Sequence, residues 1–595
     1  MRKSSKKVLS LIFGSLFVAL LSGYGSDHAT AYEGFGAGTP GGSGGEVVHV
    51  TNLNDSGPGS LRDALSEGNR TVIFDVGGEI LLSSAIRVTG AFITIDGLSV
   101  PSPGITLKGA GLSLFGTKGA HDIIIRGLRI RDAVSLASND GITIAYGAYN
   151  VVVDHVSICC SADGNIDITF DSHDITVSWS ILAGTGKNML IKYNPSRVTL
   201  HHNIFTENVT RNPEVRIDDA GTPATDTTLD MRNNLIWDWR NGYGTFVWYG
   251  PQANIVNNVY SSPASAATDQ EEALIVCKEG SKQTACQDPL RYAEAYVDGN
   301  FSMDGLGVTI NRQGNAGTLF AAPLVDTEDG CTAAGKALSD AGARPLDLID
   351  QQYLSVISLS SCVGDLFVTS LSAPGSAKQG SSISVRDSTK NGGPAPTGLS
   401  TTKFYLSTNN TYEPGDILLG GRTVPALDPG KTSSASTLVT IPTGTPGGTY
   451  FILALADGDD VFAESNETNN SKSRSIKIGP DLIISALSSP GTAGAGSTIS
   501  IIDTTKNQGV DTAGASTTNF YLSSNQTFDS SDVFLGSRIV PSLAPGAVSS
   551  GSTPVTIPSG TKAGTRYIIV VPDGESVVPE SVESNNNRYK AIGIH

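Results

Sequence analysis

The chain has 595 residues, 39% of them hydrophobic, and a net charge of −17, enough length for about three or four domains. So acidic a surface excludes nucleic acid as a partner, because that binding relies on Lys and Arg replacing counterions along the phosphates. An acidic ligand would need a bridging cation or a local basic cluster.

Residues 1–31 read as an export signal. Arg2, Lys3, Lys6 and Lys7 precede the apolar run Val8 to Leu21, and Ala29-Thr30-Ala31 supplies small residues at cleavage-type positions. That apolar run is 14 residues long, short of the roughly 20 that span a bilayer, and no later stretch qualifies. The exported chain, with 36 basic against 56 acidic side chains, is expected to be secreted, extracellular and monomeric. Export makes disulfides available. Cys277 with Cys286 and Cys331 with Cys362 are the local pairs, and the adjacent Cys159 and Cys160 read as buried thiols.

The glycine-rich stretch Gly34 to Gly45 lacks the Gly-Lys-Ser/Thr ending of a phosphate cradle, and no helix follows it. It reads as a loop capping what comes next.

Between residues 120 and 260 a strand motif returns as IIIRGLRI, VVVDHVSI, ITVSWSIL, VTLHHNIF, DMRNNLIW and ANIVNNVY. Its equivalent apolar positions, Ile125, Val153, Val177, Leu200, Met231 and Ile255, are separated by 28, 24, 23, 31 and 24 residues. Near-constant steps of this length, without hairpin Asn-Gly turns, favour an all-β, right-handed parallel β-helix over an antiparallel sandwich. One coil of such a solenoid cannot bury its inward side chains until neighbours stack on it. Asn203, Asn234 and Asn258 fall at equivalent places, as amides stacked at a turn would. The solenoid domain is placed at 32–362, with 261–362 as its end and cap.

From Asp365 the composition shifts to Ser, Thr, Gly and Pro, and the segment from Ser400 repeats from Ser516, an offset of 116. Alternating strands broken by Pro-Gly and Asp-Gly turns read as two tandem antiparallel β-sandwich domains, 363–479 and 480–595. Their FYLS segment, acidic turn and closing E-x-x-E-[TS]-N-N resemble the CARDB family. That resemblance implies attachment or spacing outside the cell, with a cell-wall or cell-surface polysaccharide or an inert stalk as the two readings.

Three carboxylates bracket adjacent solenoid strands: Asp140 in NDGITI, and Asp163 and Asp167 in ADGNIDI. Residues one coil apart lie roughly 4.8 Å from each other, so these side chains can converge on one cation, and hard oxygen donors suit Ca²⁺. Asp-Gly is also a common turn dipeptide. Lys187, Arg211 and Arg216 follow on later coils; alone, such arginines ordinarily solvate or pair with neighbours such as Asp218 or Asp219.

Residues 32 to about 260 resemble polysaccharide lyase family 1, the pectate lyases. EGFGAGTPGGSGG, NDGITI, VVVDHVS, DGNIDI, TVSWSIL, GKNMLI, VTLHHNIFTENVTRNPEVR and RNNLIWDW arrive in the family's order. The resemblance implies Ca²⁺-dependent β-elimination on polygalacturonate, yielding unsaturated oligogalacturonides. Asp140, Asp163 and Asp167 would hold calcium with Asp154 nearby, Lys187 and Arg216 would hold substrate carboxylates, and Arg211 would abstract the proton. A guanidinium is normally always protonated, but crowding by Ca²⁺, Lys187 and Arg216 would disfavour the cation, so an alkaline optimum is expected. Two departures from the family pattern stand out. Glu214 occupies a position commonly basic, and Asp230 one commonly His; neither is expected to touch the catalytic set.

Three other readings remain. Asp163 and Asp167 could be a hydrolase pair, which leaves the cations unexplained. A pectin lyase acting on methyl-esterified pectin would not need three carboxylates, and a non-catalytic pectin-binding adhesin would not need the cationic set. His201 and His202 are expected to stack or hydrogen-bond rather than bind metal.

Overall fold

The computed structural model describes residues 32–133, 140–240, 242–262, 272–281, 284–303 and 314–595. The expected export signal, residues 1–31, lies outside the described residues.

Three parallel sheets of ten, nine and eight strands wrap around one core. In one coil the chain runs through Tyr149–Asp154 in the first sheet, Ser157–Cys159 in the second and Ile166–Thr169 in the third. The apolar column expected from the repeat holds residue for residue, pairing Ile125 with Val153, then Val177, Leu200, Met231 and Ile255. All six are fully buried, each stabilising the core by about 1.5–3 kcal/mol through removal from water. No side chain of this column finds that burial within its own coil, which is why the stack forms as a unit.

Two asparagine ladders lock the corners. Asn203 donates to Asn234 at 3.0 Å, and Asn234 to Asn258 and Asn258 to Asn300 at 2.9 Å. A second ladder, not anticipated from sequence, stands between the second and third sheets: Asn165 donates to Asn188 at 2.9 Å and Asn188 to Asn212 at 2.8 Å. These amides are fully or almost fully buried, and each satisfies the next where a loose polar group would be costly.

The glycine-rich segment does not cap the first coil. It lies along the outside of the first sheet as a strap, with the Phe35, Gly36 and Gly42 amides donating to the Thr199, Thr176 and Thr94 hydroxyls at 2.9–3.0 Å. Glycine is required by proximity: a Cβ on Gly42 would come within 2.0 Å of the Arg70 carbonyl oxygen.

Helices Gly330–Asp340 and Leu348–Ser355 pack on the outer side of the second sheet, where Ala334, Ala337 and Ala341 meet Ile181, Ile204 and Val259. This return segment is pinned by Arg131, whose guanidinium reaches Asp350 at 2.7 Å with both side chains buried. Cys277–Cys286 and Cys331–Cys362 are disulfides, while Cys159 and Cys160 are free thiols, Cys159 buried and Cys160 half-buried.

Each C-terminal module pairs a three-stranded antiparallel sheet with a mainly antiparallel five-stranded one. The offset of 116 extends to individual contacts: Arg422 meets buried Asp387 at 2.7 Å, and Arg538 meets buried Asp503 at 2.5 Å. No helix among the described residues is long and apolar enough to cross a membrane.

Candidate active site

Asp140, Asp163, Lys187 and Arg211 sit at the corner between the second and third sheets, with Asp167 inside a strand of the third sheet and Arg216 just after one, on consecutive coils. The inner ladder sets their positions, since Gly164, Lys187 and Arg211 each immediately precede one of its asparagines. On the outer face of the third sheet, register places Thr143, Asp167, Leu190, Glu214 and Phe246 in one row.

Asp140 and Asp167 converge. Asp140 accepts from the Thr143 hydroxyl at 2.9 Å and the Gly164 amide at 3.0 Å, and Asp167 accepts from the Leu190 amide at 3.0 Å. A Cβ built on Gly164 would stand 3.0 Å from Asp167 Oδ1 and 3.1 Å from Asp140 Oδ1, so the glycine leaves a cradle between two carboxylates. Burial, reinforced by Asp163, pushes Asp140 up to about 6. Burial and then Asp140 push Asp167 well above the usual carboxylate range. Two carboxylates held this way favour a shared counter-ion.

Asp163 does not complete a trio; its carboxylate instead accepts from Lys187 Nζ at 2.8 Å. Among the described residues no group of three or more His, Cys, Asp or Glu side chains is gathered to hold a metal. The donor set nevertheless fits a hard divalent cation: two oxygens face one open cradle, and a third carboxylate is near enough to raise both proton affinities.

Asp154 stands apart from this group. It ends a strand of the first sheet, and its oxygens meet His155 Nδ1 and the Ser178 hydroxyl, both at 2.7 Å. Strand direction puts it at the corner leading into the second sheet, not at the one carrying Asp140, so its expected place near the cation is corrected. His202 stacks on Trp179 with centroids 4.2 Å apart, the stacking expected of it, and Glu328 lies 3.7 Å from its Nε2.

Glu214 overturns the expectation that it stays clear of the catalytic set. Only 5% exposed, it lies 3.0 Å from Arg211 Nε and 3.5 Å from Arg216 Nε, and it accepts from Tyr243 Oη at 3.0 Å and Trp248 Nε1 at 3.2 Å. Residues 214 and 216 alternate onto one face of an extended segment, a signal present in the sequence. Arg216 also reaches Asp219 at 3.0 Å and lies over the Trp248 ring. The other departure, Asp230, is remote: it sits in the first sheet, bound to Arg232 and Asn254.

The pectate lyase family model matches residues 7–220, and the CARDB model matches 363–474 and 479–590. A protein of Aspergillus terreus named "Probable pectate lyase C" is 32% identical over 366 residues, covering 59% of this chain and 82% of that protein. Its namesake in Emericella nidulans is 34% identical over 286 residues, covering 47% and 63%. Among solved structures, jun a 1, the major allergen from cedar pollen, is 22% identical with a TM-score of 0.41, over 52% of this chain and 92% of that one. A parallel solenoid, an acidic pair beside a cationic set, and a relative matched over most of its length lead to one conclusion: the chain belongs to the pectate lyase family and is a polysaccharide lyase.

Proposed function

We propose that the protein is a secreted enzyme that cleaves α-1,4-polygalacturonate by Ca²⁺-dependent β-elimination, releasing unsaturated oligogalacturonides outside the cell. The observation that carries this reading is the cradle over Gly164, where Asp140 and Asp167 converge one coil from Lys187 and two from Arg211.

Asp140 and Asp167, joined by Asp163 when its carboxylate leaves Lys187, would hold calcium, which when bound supplies Lewis acidity toward the substrate carboxylate. Lys187 and Arg216 hold substrate carboxylates. Positive charge fixed beside the reacting unit stabilises the enolate-like charge that develops as the proton leaves C5. Arg211, held through its Nε by Glu214, takes that proton with its guanidine in the neutral, deprotonated form. The bond to the leaving oxygen at C4 then breaks, forming the C4–C5 double bond, and the departing oxygen takes a proton from solvent. The two C-terminal modules attach the catalytic domain to cell-wall or cell-surface polysaccharide.

Incubation with polygalacturonate with and without EDTA, followed by ultraviolet absorbance of the unsaturated product, tests this. Absorbance abolished by EDTA is the expected result. Reducing ends without absorbance indicate hydrolysis, EDTA-resistant activity on esterified pectin indicates a pectin lyase, and binding without turnover indicates an adhesin.

A further inference from the structure

Four basic residues on adjacent coils, Lys187, Lys192, Arg211 and Arg216, each have a carboxylate partner. Lys187 is on Asp163, Lys192 is on Asp219, Arg211 is on Glu214, and Arg216 is on Glu214 and Asp219. These partners differ in their freedom to yield. The Asp219 side chain is 61% exposed and that of Asp163 33%, so both can swing away when a substrate carboxylate arrives. Glu214 cannot: it is buried, shared between two guanidinium groups, and held by hydrogen bonds from Trp248 and Tyr243.

A fixed anion at the arginine end alters what that end selects. A uronate carboxylate there shares two guanidinium groups with a negative charge that stays in place and offsets one of their two positive charges, which weakens its attraction to that end. A methyl ester carries no charge, and its carbonyl accepts hydrogen bonds from the same N–H groups without losing by that offset. We propose that Glu214 is a specificity-determining residue that shifts this lyase toward partly methyl-esterified polygalacturonate and away from the fully de-esterified chain. The proposal rests on the lyase reading above and names the substrate class of that same site.

The test compares kcat and KM of the wild type, Glu214→Gln and Glu214→Asp on polygalacturonate and on a partly methyl-esterified pectin, with thermal unfolding of each variant in parallel. Glu214→Gln keeps a side chain of similar shape and removes the charge. Its preference for polygalacturonate over the esterified substrate is expected to rise about tenfold, chiefly through KM, while Glu214→Asp keeps the wild-type ratio. An unchanged ratio in Glu214→Gln, or an equal loss on both substrates, overturns the proposal. The wild type supplies an independent arm should the variant not fold: its KM on the partly esterified pectin is expected to be no higher than on polygalacturonate, and a clearly higher one overturns the proposal. No unsaturated product from either substrate with the wild type overturns the lyase reading itself, and this proposal with it.

Discussion

The carboxylates of Asp140 and Asp167 face each other across Gly164, each about 3 Å from the place a methyl group on that residue would occupy. Gly164→Ala therefore inserts an atom into the cradle. Its two nearest contacts there are side-chain oxygens, and the Asn188 carbonyl oxygen at 3.4 Å is at ordinary contact distance, so the fold should survive while divalent-cation binding weakens and lyase activity falls by about 10–100-fold. Calcium titration by calorimetry and product absorbance, alongside an unchanged melting temperature, check this. Full activity in the alanine variant would remove the cradle from the mechanism.

Arg211→Lys keeps a positive charge but loses the planar fork held by Glu214. Loss of a positioned proton acceptor costs about 10²–10⁴-fold, expected in kcat rather than KM, with no change in far-ultraviolet circular dichroism. The wild-type rate should climb toward alkaline pH, and a flat profile between about pH 6 and 10 would argue against an arginine base.

Arg131 and Asp350 form an ion pair whose side chains are 3% and 1% exposed, joining the solenoid to the segment that returns along it. Arg131 also reaches Asp347 at 3.1 Å, so Asp350→Ala leaves it a partner. Arg131→Met instead strands the buried Asp350 carboxylate and should destabilise the solenoid by about 3–5 kcal/mol, whereas replacing both Arg131 and Asp350 with apolar residues should cost less. Urea unfolding of the single and double variants gives the comparison.

In the second C-terminal module burial pushes Glu580 up to about 8, and the neighbouring Glu583 adds to this. Its counterpart Glu464 is pushed up to about 7. A carboxyl raised on folding binds more protons in the native than in the unfolded state. Stability is therefore greatest below the ordinary carboxylate range and declines as pH rises from about 4.5 to about 8. Calorimetry of the full chain should show the module transition melting lower at pH 8.5 than at pH 5, and Glu580→Gln should flatten that dependence.

The solenoid was legible because inward side chains must recur once per coil, so Ile125, Val153 and Val177 announced their register before any contact was known. Residue identity likewise placed Asp140, Asp167, Lys187, Arg211 and Arg216 on neighbouring coils. Side-chain partners were less accessible. The turn of Asp163 toward Lys187 depends on a rotamer choice, and the bridging by Glu214 depends on Tyr243 and Trp248, about thirty residues away. Asp154 was misplaced because sequence proximity to the acidic segment conceals which corner of the coil it occupies. The glycine strap was missed because its partners, Thr94, Thr176 and Thr199, are reached only after the sheet has formed.

The inner ladder of Asn165, Asn188 and Asn212 divides each coil into a part that is gauged and a part that is free. Amides bonded rung to rung fix the pitch of the residues beside them. The arc between the third sheet and the first, which neither asparagine ladder reaches, bears no such constraint, as the 31-residue step from Leu200 to Met231 illustrates. Insertions and deletions in that arc can remodel the surface beside the third sheet while the reactive side chains keep their spacing, which makes this architecture suited to acquiring new polysaccharide preferences by loop exchange.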